Sequence, residues 1–277
     1  MNIGKYTSQL SEYMEYKKYA VNSIENYISS LKIFLEYFNV KATKPSEISK
    51  NDIISFLKEI KSVNTHKAYL CAIKLFYTKI INQPEKCAKI EQPRSNKKLP
   101  IVLTQEEVQR MFNVCNNLKH KVILSLLYGC GLRVSELINI QWSNIDRSAM
   151  ILNVISGKGK KDRQVDLPDN IIPLLEKYYR EYRCKPFILS GQLKNKYTQG
   201  SILKVVKKYA DLAGISKRTY THLMRHCSFT HMAENGVDLG YIQRSAGHES
   251  PITTTRYIHM SHNLVKMAKS PLNNIKL

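Results

Sequence analysis

The sequence predicts a mainly α protein in two domains: a small N-terminal helical bundle and a larger C-terminal α+β domain with a small β-hairpin or sheet. Three observations carry this prediction. The chain has 277 residues, enough to bury two cores. Apolar side chains recur at helical spacing along most of it. One stretch only, residues 150–167, reads as paired strands around a loop rich in glycine and lysine.

The N-terminal domain is expected over residues 1–88. Ile24, Tyr27, Ile28, Leu31, Phe34, Leu35 and Phe38 lie on one helical face, with Ser23 placed to cap it. The pieces before Asn51 read as short and joined by polar turns around Lys44-Pro45-Ser46. Further helices are expected from Asn51 through Ile60 and from about Asn64 to Ile81, the latter with Ala68, Ala72, Ile73, Phe76 and Ile80 inward. Residues 89–103, with Pro93, Arg94, Lys97, Lys98 and Pro100 and no periodic apolar face, read as a basic, extended linker.

The C-terminal domain is expected over 104–277. Thr104-x-x-Glu107 is a capping box that opens a helix running to about Asn117. An apolar helix from Lys119 stops at Gly129-Cys130-Gly131, Ser135 is placed to cap a short helix, and Trp142 reads as core or interdomain packing. Strands are expected over 150–155 and 163–167. Helices follow at roughly 169–183, 199–213, 222–234 and 238–246, then shorter ones to the end.

Charge narrows the function. Lys and Arg number 43 against 22 Asp and Glu, a formal charge of +21. This excludes an average metabolic enzyme as the default and points to a polyanionic partner. The excess is spread, with 17 basic and 9 acidic side chains in residues 1–100 and 26 and 13 in the remainder, so it is not a basic tail. A lysine-rich solvated surface is the plainer alternative. No apolar run approaches the ~20 residues of a membrane span, and no signal-peptide core opens the chain. The six cysteines form no Cys-x-x-Cys pair and read as reduced thiols of a cytoplasmic protein.

Six of the eight histidines (222, 226, 231, 248, 259, 262) fall in the last 56 residues. His222 and His226 have the i, i+4 spacing of a zinc site, but no acid follows His222 and no cysteine pair adds ligands, so no metal is expected. His231, His259 and His262 read as ordinary surface or capping residues. His222 and Arg225, three apart, project from one helical face. His248 follows a glycine in a turn, and Ser250-Pro251 supplies the cap and first residue of a helix that carries Tyr257. Upstream, Arg133 stands between a helix end and a helix start, and Lys158 stands at the hairpin tip between glycines.

At these residues the sequence resembles the tyrosine recombinase (phage-integrase) family, of the Xer-like or simple integrase type. The matching blocks are GLRVSEL at 131–137, GKGKKDR at 157–163, HLMRH at 222–226, AGH at 246–248 and Tyr257 within TTTRYIHMS. The resemblance implies a core-binding, SAM-like N-terminal bundle and a catalytic domain in which Tyr257 is the nucleophile. Arg133 and Arg225 would be the phosphate-binding arginines, Lys158 the hairpin lysine, His222 and His248 the two histidine-position residues, and Glu136 a support for the first arginine. Ala246 stands where a leucine is usual, which should alter packing more than chemistry. Lys160 and Lys161 share the hairpin tip, so the choice of Lys158 rests on motif alignment.

Elementary chemistry fits those roles. Attack on a phosphodiester builds a second negative charge, so the reaction needs positioning and charge stabilisation. Guanidiniums offer planar forks that match the non-bridging oxygens. A tyrosine must give up its proton during attack, with His222 the expected acceptor, and a lysine suits protonation of the leaving 5′ oxygen. The expected activity is cutting and rejoining of double-stranded DNA through a 3′-phosphotyrosine and a Holliday junction, without cofactor, metal or ATP. The expected partners are double-stranded DNA and three further copies of the chain, or a paralogous recombinase, in a nucleoid-associated setting, with the tail after Tyr257 docking on a neighbour or folding on its own domain. A non-catalytic DNA-binding regulator on the same fold and a type IB topoisomerase-like relaxing enzyme are the alternatives.

Overall fold

A computed structural model describes residues 1–94, 101–155, 162–191, 197–220, 222–248, 250–251 and 254–255. The chain divides into two compact units, Met1–Lys98 and Leu99–Leu277. Among the described residues no helix is long and apolar enough to cross a membrane.

The first unit is built from α1 (Ile3–Tyr16), α2 (Val21–Phe38), α3 (Lys50–Glu59), α4 (Val63–Lys79) and the single turn α5 (Glu85–Ala88). The stripe on α2 buries Leu31, Phe34, Leu35 and Phe38, and α2 packs between α1 and α4. Three expectations are corrected here. The pieces before Asn51 are not short, since α1 and α2 have 14 and 18 residues. Ser23 does not cap α2, which starts two residues earlier from an extended Ala20, so Ser23 already donates its backbone N–H to the Ala20 carbonyl. Ala68 is exposed because the buried stretch of α4 begins only at Leu70. The linker is anchored at both ends, with Ile90 buried in the first core and Leu103 in the second.

In the second unit α6 (Gln105–Asn113) carries the capping box, the Thr104 side chain accepting from the Glu107 N–H. It ends four residues before the expected Asn117, because Asn117 itself caps α7 (Leu118–Gly129). Val122, Ile123, Leu124, Leu126 and Leu127 of α7 are all buried, and a helix apolar on every side belongs in the middle of a core. Around it pack α9 (Ile171–Tyr182), α10 (Gln199–Leu212) and α11 (Leu223–Glu234). The sheet has a third strand beyond the hairpin. β1 (Ile145–Asp146), β2 (Ile151–Val154) and β3 (Arg163–Asp166) pair antiparallel in that order, with Val154 opposite Arg163. Leu152, Val154 and Val165 alternate inward. Trp142 is core packing of this unit: its indole donates to the Cys184 carbonyl at 2.7 Å and meets the Tyr179 ring edge-on at 5.0 Å.

Candidate active site

Three chain reversals build the site. After α7, Gly131 takes a left-handed φ of +56°, and a Cβ there would lie 2.5 Å from the Phe229 ring. The chain then extends through Arg133, the N-cap of α8 (Val134–Leu137). Ser135 lies inside that helix and does not cap it. The capping group is the Glu136 carboxylate, which accepts from the Arg133 N–H at 2.7 Å. The second reversal leads into α11, where His222 is the exposed N-cap residue and Arg225 lies one turn in. In the third, α12 (Leu239–Ala246) stops at Gly247, φ +60°, and delivers His248.

Arg133 and Arg225 meet at one atom. The Ala246 carbonyl oxygen accepts from Arg133 Nη2 at 3.0 Å and also from Arg225 Nη2. Arg133 Nη2 donates as well to the Gly247 carbonyl at 3.1 Å, and Arg225 Nη1 donates to the Gly131 carbonyl. Arg225 is 4% exposed, its guanidinium 4.8 Å from the centroid of the Phe229 ring. A buried cation is tolerated only when its donors are matched, and backbone carbonyls from two chain reversals match these. Ala246, where the family resemblance leads one to expect leucine, is fully buried with Phe229, Ala233 and Ile242.

His248 follows directly. Its Nδ1 lies 3.0 Å from the Thr254 hydroxyl, and its backbone carbonyl accepts from Gln243 at 3.2 Å. Burial first, then the charges of Arg225 and Arg133, push its pKa down to about 4, so the imidazole is neutral at physiological pH. An anion arriving beside the arginines reverses the second cause.

Glu136 is bound twice. Arg133 Nη1 donates to Oε1 at 2.7 Å, while Arg163 Nη1 and Nη2 donate to Oε1 and Oε2 at 2.7 and 2.8 Å. Burial alone would raise this carboxyl; Arg163 and then Arg133 outweigh it and hold it at about 2. Arg163 was not singled out from the sequence, where it is the last residue of a basic hairpin block. Its side chain is nonetheless only 6% exposed.

Of the residues the sequence singled out, the structure brings Arg133, Glu136, Arg225 and His248 together. It places His222 at the head of the helix bearing Arg225, its ring 6.5 Å from that of His226. Tyr257, Lys158, Lys160 and Lys161 lie outside the described residues, as do His259 and His262. His231 is corrected: it is buried, not a surface residue, with Nδ1 2.9 Å from the Tyr128 hydroxyl and Nε2 2.9 Å from the Leu103 carbonyl. Among the described residues no group of three His, Cys, Asp or Glu side chains is placed to hold a metal ion. A groove of about 1580 Å³ opens over Arg133, Arg163, Arg244, Gly247 and His248.

Two guanidiniums converge beside a neutral imidazole in a groove that further arginines line, an arrangement suited to an anion. Comparison with known proteins gives the class. The phage integrase family model matches residues 101–263, and the phage integrase N-terminal SAM-like domain matches residues 7–86. The chain is 32% identical to tyrosine recombinase XerD of Oceanobacillus iheyensis over 267 residues, 88% of this chain and 90% of that one. It aligns with a crystal structure of XerA recombinase at TM-score 0.57 and 27% identity, over 96% of both chains. It shares its fold with lambda integrase, solved as a tetramer bound to a Holliday junction, at TM-score 0.76 and 15% identity over 92% of this chain and 76% of that one. The chain belongs to the phage integrase family and is a tyrosine site-specific recombinase.

Proposed function

We propose that this recombinase cuts and rejoins double-stranded DNA by a cofactor-free phosphoryl transfer in which Tyr257 is the nucleophile. The Tyr257 phenolic oxygen attacks the scissile phosphorus and its proton passes to His222. The bond from phosphorus to the 5′ oxygen breaks, and Lys158 protonates the departing 5′ oxygen, leaving a 3′-phosphotyrosine. Attack of a 5′-hydroxyl from the partner duplex reverses the step and frees the tyrosine. The phosphoester bond is kept throughout, so rejoining needs no nucleotide. Arg133 and Arg225 hold the non-bridging oxygens and His248 adds a hydrogen bond, as aimed donors do at a developing charge.

The observation that carries this reading is the meeting of Arg133 and Arg225 on the Ala246 carbonyl. A surface that only binds phosphates does not need two arginines fixed against one atom beside a neutral histidine. The N-terminal bundle and the C-terminal unit both contribute phosphate and groove contacts. Four copies, or two each of this chain and a paralogue, assemble on two sites in the nucleoid. The test uses nicked duplexes selected from a random-sequence library by binding. Wild type should form a covalent adduct on the selected core site that maps to Tyr257, survives EDTA and is lost in Tyr257→Phe. Binding without an adduct makes the chain a regulator; relaxation of any supercoiled plasmid makes it a topoisomerase.

A further inference from the structure

We infer that Arg163 is a positioning residue for strand cleavage: it clamps Glu136 and the end of α12 so that Arg133 and the 246–248 turn are held in one geometry. The inference rests on the phosphoryl-transfer reading above and adds a residue to it.

Arg163 opens β3 and reaches two other elements at once. Its two terminal nitrogens take both oxygens of the Glu136 carboxylate at 2.7 and 2.8 Å, and its Nε donates to the Ser245 carbonyl at 2.7 Å. Glu136 in turn accepts from Arg133, from the side chain at 2.7 Å and from the backbone N–H at 2.7 Å. Ser245 immediately precedes Ala246, the carbonyl shared by Arg133 and Arg225. One guanidinium therefore fixes both the carboxylate that orients Arg133 and the helix end on which Arg133 and Arg225 meet.

Two further contacts support the clamp. Gly247 gives it room, since a Cβ there would lie 2.9 Å from Arg163 Cδ. The Tyr241 hydroxyl donates to Asp166 at 2.8 Å, a second tie between β3 and α12. The buried pair also serves geometry better than stability. Side chains 6% and 9% exposed bury two charges at a desolvation cost that often equals their attraction. Lysine cannot replace arginine here, because one ammonium cannot present a planar fork to the carboxylate and a third donor to a carbonyl on another element.

The experiment compares Arg163→Gln, Arg163→Lys, Glu136→Gln and the double variant Arg163→Gln/Glu136→Gln in the full chain. Adduct formation is measured in single turnover at saturating enzyme on the selected nicked duplex, and Kd for that duplex alongside. Arg163→Gln should slow cleavage roughly 30- to 300-fold while Kd moves by less than about threefold. Arg163→Lys should not restore the rate, and the double variant should be no slower than the slower single one, because both act through one unit. Losses that multiply, a rate that falls only as Kd or Tm falls, or restoration by lysine overturn the inference.

Failure of the parent reading is distinguishable, because it appears as absence of an adduct in wild type. The clamp is then read without substrate in arginine guanidinium ¹⁵N spectra. Rotation of the Arg133 guanidinium should be slow in wild type and fast in Arg163→Gln or, should that variant not fold, in Arg163→Lys. Slow rotation in the folded variant refutes the clamp.

Discussion

The interiors of the two units are made of different chemistry. In the N-terminal bundle the buried set is apolar and aromatic, with Ser30 the one buried polar residue among those described. Phe34 meets Phe38 and Phe56 at 5.3 Å and Tyr77 at 6.3 Å, all edge-on. The C-terminal unit buries Arg225, Ser228, Thr230, His231 and Ser245, and with them the Arg163–Glu136 pair. Apolar contact is non-directional and tolerates small shifts. A matched buried charge tolerates none, because each lost partner leaves an unpaid desolvation. The first interior therefore supplies stability alone, while the second adds to its own apolar core a polar part that trades stability for fixed donors.

Mutation separates the two. Phe34→Ala should lower unfolding stability by about 3–5 kcal/mol, read by urea titration of far-UV circular dichroism, and leave single-turnover cleavage by the folded fraction unchanged. A slowed rate at saturating DNA would show that the bundle's packing feeds the chemistry. Arg225→Lys should do the reverse. A lysine cannot donate to the Gly131 and Ala246 carbonyls and still face a phosphate, so about 2.7–4 kcal/mol of transition-state stabilisation should go. Adduct formation would fall between a hundredfold and several hundredfold or more with duplex binding kept; a near-normal rate would remove Arg225 from the site.

Acid distinguishes them next. His248 titrates near 4 in the folded chain against an ordinary 6.5, so the unfolded chain takes up that proton first and stability falls as the pH drops from 6.5 towards 4. Glu136 is held at about 2 against 4.5. The preference for its ionised form is complete above pH 4.5 and lost as the pH falls through 2. In the bundle the depressed carboxyls, Glu47 and Asp52, are caps at the surface. The chain has one tryptophan, Trp142, in the C-terminal unit, so its fluorescence reports that unit alone. Urea midpoints from Trp142 should fall with acid before those from circular dichroism; coincident midpoints at every pH would show the units to be equally acid-sensitive.

The same contrast governs how much could be read from the sequence. Apolar spacing is local, so α2, α4 and α7 were legible, as were the Thr104 capping box and the hairpin. α1 was missed because only Leu10 and Met14 of it are buried, although Asn2 as cap was a usable signal. β1, two residues long, has no alternation to detect. At the candidate site, Arg133, Glu136, Arg225 and His248, which the structure brings together, were singled out by motif order. Arg163 was not, because among the basic residues of its hairpin its burial depends on a carboxylate 27 residues away. Phe229 was closer to view, one helical turn beyond Arg225. No local pattern shows that the Ala246 carbonyl joins two arginines, since a backbone oxygen has no signature in a sequence.

The smallest expected effect tests where the polar interior begins. Thr104 caps α6 through its hydroxyl, and Glu107 completes the box by accepting from the Thr104 N–H at 2.7 Å. Glu107 also accepts from Lys217 Nζ at 2.6 Å, and Lys217 donates to the Val102 carbonyl at 3.2 Å. Thr104→Ala removes the hydroxyl but leaves the carboxylate and its lysine in place, so the loss should be that of a single cap, about 1 kcal/mol, seen in the Trp142 fluorescence midpoint. Glu107→Gln keeps an acceptor for the Thr104 N–H and removes the charge facing Lys217. Lys217 keeps contact with solvent, its side chain 36% exposed against 16% for Glu107, and an ion pair open to water is worth about 0–1 kcal/mol, so Glu107→Gln should cost no more than the cap. If it costs several times more, the matched-charge interior extends from the arginine site to the first helix of the C-terminal unit, and the division between stability and geometry runs between the two units rather than within the second.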